Sequence, residues 1–140
     1  MFRRGNRLFA AGAIGILLTA ILHTLGHFSS PPDEPALLAV LNAMSGYRLD
    51  MGMARPTIME IHDSLSLTMT ILLLVVGSLD LVVLGLAPDA TRLLHALKIV
   101  NLLGIAGLVA VFVLYPIPPP MLCFAVVALL FLLSLIFQKR

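Results

Sequence analysis

Four long apolar runs separated by clusters of proline constrain this chain more than any other feature. They cover residues 8–28, about 58–87, 93–115 and 121–137. Each is close to or above the roughly 20 residues that a helix rising about 1.5 Å per residue needs to cross about 30 Å of hydrocarbon. Lone strands would leave backbone N–H and C=O groups unpaired in lipid, so the runs are expected to be helices. Composition agrees: 60% of the 140 residues are hydrophobic and 11% are charged, with a mean hydropathy of +1.07. A water-soluble domain carries about a quarter charged residues. The expected fold class is therefore all-α, a polytopic membrane protein built as an antiparallel bundle of four transmembrane helices in a single domain.

Pro31, Pro32 and Pro35 close the first run, Pro88 and Asp89 separate the second from the third, and Pro116 with Pro118, Pro119 and Pro120 separates the third from the fourth. Only the first connection is long, covering residues 29–57. Within it Asp33 is a candidate N-cap, Pro35 suits a first turn and Gly46 is expected just past the helix end. Leu37, Leu38, Leu41 and Met44 then recur at helical spacing. A short amphipathic helix is expected there, lying on the bilayer or lidding the bundle.

Basic residues set the expected orientation. Arg3, Arg4, Arg7, Arg92, Lys98, Lys139 and Arg140 fall on one side, against Arg48 and Arg55 on the other. The positive-inside rule then puts both termini in the cytoplasm and the long loop outside. The basic balance needs no nucleic-acid partner. A signal peptide over residues 3–28 is the competing reading, but His23-Thr-Leu-Gly-His27-Phe is not a small-residue cleavage site.

Ionisable groups inside a span are costly and call for a partner or a purpose. His23 and His27 share a stripe of the first run with Gly12, Ile16 and Thr19. Asp63, Ser66, Thr70 and Gly77 form a second stripe in the next run, with His62 at its edge. The antiparallel arrangement would bring both stripes together near the outer leaflet. His23, His27, His62, Asp63, Ser66 and Thr70 are the candidate site; if the second span's apolar part begins at Leu65, His62 and Asp63 lie in the headgroup layer instead.

Three ligand chemistries are open for that site. Histidines four apart can chelate a metal ion, and Asp63 or His62 could complete the set with His23 and His27 for zinc, copper or non-haem iron. Met44, Met51, Met53 and Met59 add soft thioethers that favour copper. Haem or another pigment is a related possibility, and the polar head of a quinone or lipid is the third. The plainest alternative is that the histidines hydrogen-bond to Asp63, Ser66 or a carbonyl and fix helix register. His23-Thr-Leu-Gly-His27 lacks the glutamate of a zinc-protease motif, and the single cysteine, Cys123, excludes an internal disulfide or a CxxC pair. Nothing supplies an activated nucleophile or a placed acid and base, so the balance favours a non-catalytic role, as a binding protein or an accessory subunit of a larger membrane complex or a homo-oligomer, with a small membrane enzyme using His23, His27, His62 and Asp63 as the alternative.

The remaining polar residues read as structural. Thr57-Ile-Met-Glu60 is a capping box. Asp80 is expected to meet Asn101 or Lys98, and His95 to sit at the interface beside Arg92. Gly104, Gly107 and Ala110 suggest a smooth face for close helix contact. Ser134, Gln138 and Cys123 carry no distinctive chemistry. At His23-Thr-Leu-Gly-His27, Tyr47-Arg-Leu-Asp50-Met-Gly52 and Glu60-Ile-His62-Asp63-Ser-Leu-Ser66 the chain resembles an uncharacterised family of small four-span bacterial membrane proteins. That resemblance implies an inner-membrane location and no particular activity. The chain does not match the disulfide-forming four-helix membrane enzymes, which need cysteine pairs.

Overall fold

The computed structural model describes residues 4–139, with side chains as far as Gln138. It is all-helical, with five α-helices: α1 (Arg4–His27), α2 (Pro35–Gly46), α3 (Ile58–Leu86), α4 (Thr91–Leu114) and α5 (Pro118–Ile136), followed by a short 3-10 turn over Phe137–Lys139. α1, α3, α4 and α5 are each long and apolar enough to cross a membrane. Their ends shift from the sequence reading for local reasons. α5 starts at Pro118, because proline is tolerated in a first turn where its missing N–H costs nothing. α2 is capped by Glu34 and not by Asp33; no side chain caps it, and Gly46 is its last residue.

The chain packs as two compact units, Met1–Ala20 with Leu73–Arg140, and Ile21–Leu72. In the first unit every helix buries one residue per three or four: Phe9, Gly12, Ala13 and Ile16 from α1, Leu73, Gly77, Asp80 and Leu84 from α3, Leu94, Lys98, Asn101 and Ile105 from α4, and Phe124, Val127, Phe131 and Ser134 from α5. This is the seam spacing of packed helices. The outward positions stay apolar, as Leu79, Leu103, Val113 and Leu129 show. Helices that are apolar all round are consistent with a multi-pass membrane protein.

Small residues bring the helices close. A Cβ on Gly12 would lie 2.6 Å from Cε1 of Phe131, and one on Gly77 would lie 2.9 Å from the Leu17 side chain and 3.0 Å from the Ala13 carbonyl oxygen. Close approach of this kind substitutes for the hydrophobic drive that lipid removes. Phe9 tilts against Phe131 at 5.6 Å, and Phe112 stacks on Phe124 at 5.8 Å. The expected smooth face at Gly104 and Gly107 is not used: a Cβ at either position would meet nothing within 4 Å.

The second unit has almost no interior. Thr57 and Thr70 are its only buried residues, and α2 buries none. Order there comes from hydrogen bonds. The expected capping box opens α3, the Thr57 N–H donating to Glu60 Oε2 at 2.7 Å and the Glu60 N–H to Thr57 Oγ1 at 3.1 Å. An antiparallel bridge pairs Arg48 with Thr57 across a turn in which Gly52 takes φ +80, a conformation that glycine adopts without steric cost.

Candidate functional site

α1 and α3 both contribute to the second unit, and two polar side chains on α1 meet two on α3 one turn apart. His23 Nε2 lies 3.0 Å from Ser66 Oγ and 3.2 Å from the Ser66 carbonyl oxygen. A carbonyl can only accept, so the pair of distances fits a ring with a proton on Nε2, shared between two oxygens. Beside it, Thr24 Oγ1 donates to Thr70 Oγ1 at 3.3 Å. Thr70 is buried, while His23, Thr24 and Ser66 are half-buried. The cluster is neutral and rich in hydrogen-bonding groups.

The other expected members lie apart from this pairing. His62 Nδ1 meets Asp63 Oδ1 at 3.3 Å, between sequence neighbours whose side chains are 61% and 47% exposed. His27 is half-buried and packs edge-on against Phe28, ring centroids 4.8 Å apart. Among the described residues no group of three or more His, Cys, Asp or Glu side chains is placed to hold a metal ion. His23, His27, His62 and Asp63 are thus not gathered as a chelating set. His62, one residue before Asp63, is turned outward at the edge of its stripe, its side chain 61% exposed.

A second polar cluster lies in the first unit, where the sequence pointed only in part. Lys98 is 0% exposed, and its Nζ donates to Asn6 Oδ1 at 3.1 Å and to Gln138 Oε1 at 3.4 Å, with the Phe9 ring 5.7 Å away. His95 Nδ1 lies 3.3 Å from the same Gln138 oxygen, Gln138 Nε2 donates to the Thr91 carbonyl at 3.4 Å, and Asn6 Nδ2 donates to the Pro88 carbonyl at 3.3 Å. Lys98 therefore ties the start of α1, the turn before α4 and the end of the chain into one knot. Two expectations change. Lys98 is interior and does not bind Asp80, and Gln138 is a central acceptor, which His95 also meets. The missed signal was the spacing of Leu94, Lys98, Asn101 and Ile105, which puts the lysine on the buried seam.

Asp80 is 1% exposed and accepts from Asn101 Nδ2 at 2.9 Å on both carboxylate oxygens, as one of its two expected partnerships required. A water-sized cleft lined by Asn6, Pro88, Thr91, Leu94 and Gln138 borders the lysine knot. No buried side-chain N or O atom among the described residues lacks a partner. In an interior this well satisfied, polar groups act as structure, since leaving one unpaired is what costs. Of the nine basic residues that set the expected orientation, Arg3 and Arg140 lie outside the described residues, as does the side chain of Lys139. No protein-family model, curated protein or solved structure matches this chain.

Proposed function

We propose that this chain is a non-catalytic binding protein of a bacterial inner membrane, an antiparallel bundle of four spans with both termini in the cytoplasm. Its site is the His23, Thr24, Ser66 and Thr70 cluster near the extracytoplasmic boundary. The ligand class is an apolar-tailed molecule with a hydroxyl or carbonyl head, a quinone or a lipid. The observation that carries this reading is the His23–Ser66 pairing: a half-buried imidazole whose Nε2 is held by oxygens of α3, which leaves the other ring nitrogen, Nδ1, as the atom to meet a ligand's head group. The orientation is supported by the unequal division of arginine and lysine between the two sides, six against two once the buried Lys98 is set aside.

This reading ranks above chelation of a metal ion by protein side chains alone because His23, His27, His62 and Asp63 are not gathered as a set of three or more; haem or pigment ligation, which needs only one or two histidines, is the competing reading. Hydrogen-bonding to an uncharged head needs only one or two of them. The test is purification in mild detergent followed by mass spectrometry of an organic extract, compared with the bulk lipid of the host membrane. One species should be enriched over its bulk abundance; an extract that mirrors the host profile, or a stoichiometric metal or a visible chromophore in the preparation, contradicts the reading.

A further inference from the structure

α2 and the hairpin that follows it expose apolar surface in a pattern that water does not favour. The twelve residues of α2 include no charged side chain and none is buried; Val40 is 56% exposed. In the hairpin, Met53 is 104% exposed and Met51, Tyr47 and Leu49 are exposed too. These side chains are held out by an ordered turn. The Leu49 N–H donates to the Pro56 carbonyl at 2.9 Å, the Met51 N–H to the Ala54 carbonyl at 3.0 Å, and the Gly52 N–H to Asp50 Oδ1 at 3.0 Å. Two of its three charges pair with each other, Arg55 Nη2 meeting Asp50 Oδ2 at 2.9 Å, while Arg48 Nη1 donates to the neutral Arg55 carbonyl at 2.8 Å.

An ordered tip that pairs many of its own polar atoms and holds Met51, Met53 and Leu49 out beside an exposed Arg55–Asp50 ion pair is suited to the boundary between hydrocarbon and headgroups. The same unit carries exposed apolar residues at the end of α1, Leu25 and Phe28, and on α3, Leu65 and Ile71, so α2 shares its unit with the ends of two helices apolar enough to cross a membrane. The hairpin also holds two arginines against one aspartate, a positive balance that complements anionic headgroups. We infer that α2 and the 48–57 hairpin are embedded in the bilayer interface, with Val40 and Met53 in contact with lipid. This decides between the two placements open from the sequence, and it does not rest on the ligand assigned to His23.

The chain contains no tryptophan, so Val40→Trp and Met53→Trp each give a single-tryptophan protein whose emission is excited apart from that of the two tyrosines. Reconstituted in vesicles of mixed zwitterionic and anionic phospholipid, both should lose about half or more of their emission when brominated acyl chains replace ordinary ones, while aqueous iodide quenches little. Full iodide access with no bromolipid quenching at either position overturns the inference. So does emission that is shielded from iodide but indifferent to bromolipid and sensitive to the protein-to-lipid ratio, which would mean a second copy covers the surface. Because both sites are exposed, the substitutions leave the fold intact. A nitroxide at Val40→Cys in a Cys123→Ser background gives an independent depth reading, in which oxygen must collide with the label more readily than a nickel chelate does.

Discussion

The two units of the chain treat polar side chains in opposite ways. In the unit formed by Met1–Ala20 and Leu73–Arg140, a lysine and an aspartate are wholly buried and each is held by amide side chains that nearby helices supply. In Ile21–Leu72 the histidines and Asp63 are partly open, and only two threonines are buried. The first pattern resists change, because each buried group removed strands its partners. The second tolerates change and leaves hydrogen-bonding capacity for another molecule. Low burial and exposed hydrogen bonds are the marks of segments drawn from the less stable end of a structure, where binding elements are commonly found.

Substitutions break or sharpen that contrast, and the largest effect belongs to Lys98. Lys98→Ala should cost about 3 kcal/mol or more, because it opens a cavity and leaves Asn6 and Gln138 oxygens without their donor. Lys98→Met keeps the volume and should cost roughly 1–3 kcal/mol. Thermal unfolding of the detergent-solubilised protein measures both; equal stability of the two variants and the parent would mean the knot contributes nothing. Gly12→Ala comes next, at about 1–3 kcal/mol, since its new methyl group meets a buried Phe131 ring. In the second unit Thr57→Ala removes one half of a capping box and should cost about 1 kcal/mol. Gly104→Ala should change stability by less than about 0.5 kcal/mol in the same assay, because the added methyl group meets open space; a loss as large as that of Gly12→Ala would show that the face of α4 is covered.

The sequence made the helices legible because proline punctuation and span length are strong local signals. The capping box and the Asp80–Asn101 pair were legible for a related reason: each depends on a short separation along the chain or a tight turn between two helices. The knot around Lys98 was not, because its partners Asn6 and Gln138 are 92 and 40 residues away and neither carries a charge that announces a role. At the candidate site the stripes correctly brought α1 to α3 at His23 and Ser66. They did not resolve which way His62 turns, since a residue at the edge of a helical stripe is decided by packing that periodicity does not contain. The glycines reversed for a similar reason: Gly12 and Gly77 lie at close contacts while Gly104 and Gly107 face outward, a distinction that only the packed helices make.

The binding claim is tested most directly by measuring the ligand in the organic extract of the parent protein beside that of His23→Ala, with Gly104→Ala as the folded control. The account predicts one enriched species that falls at least about fivefold in His23→Ala and is unchanged in the control, with thermal unfolding of the two variants alike. An extract whose composition is the same in all three proteins would contradict it.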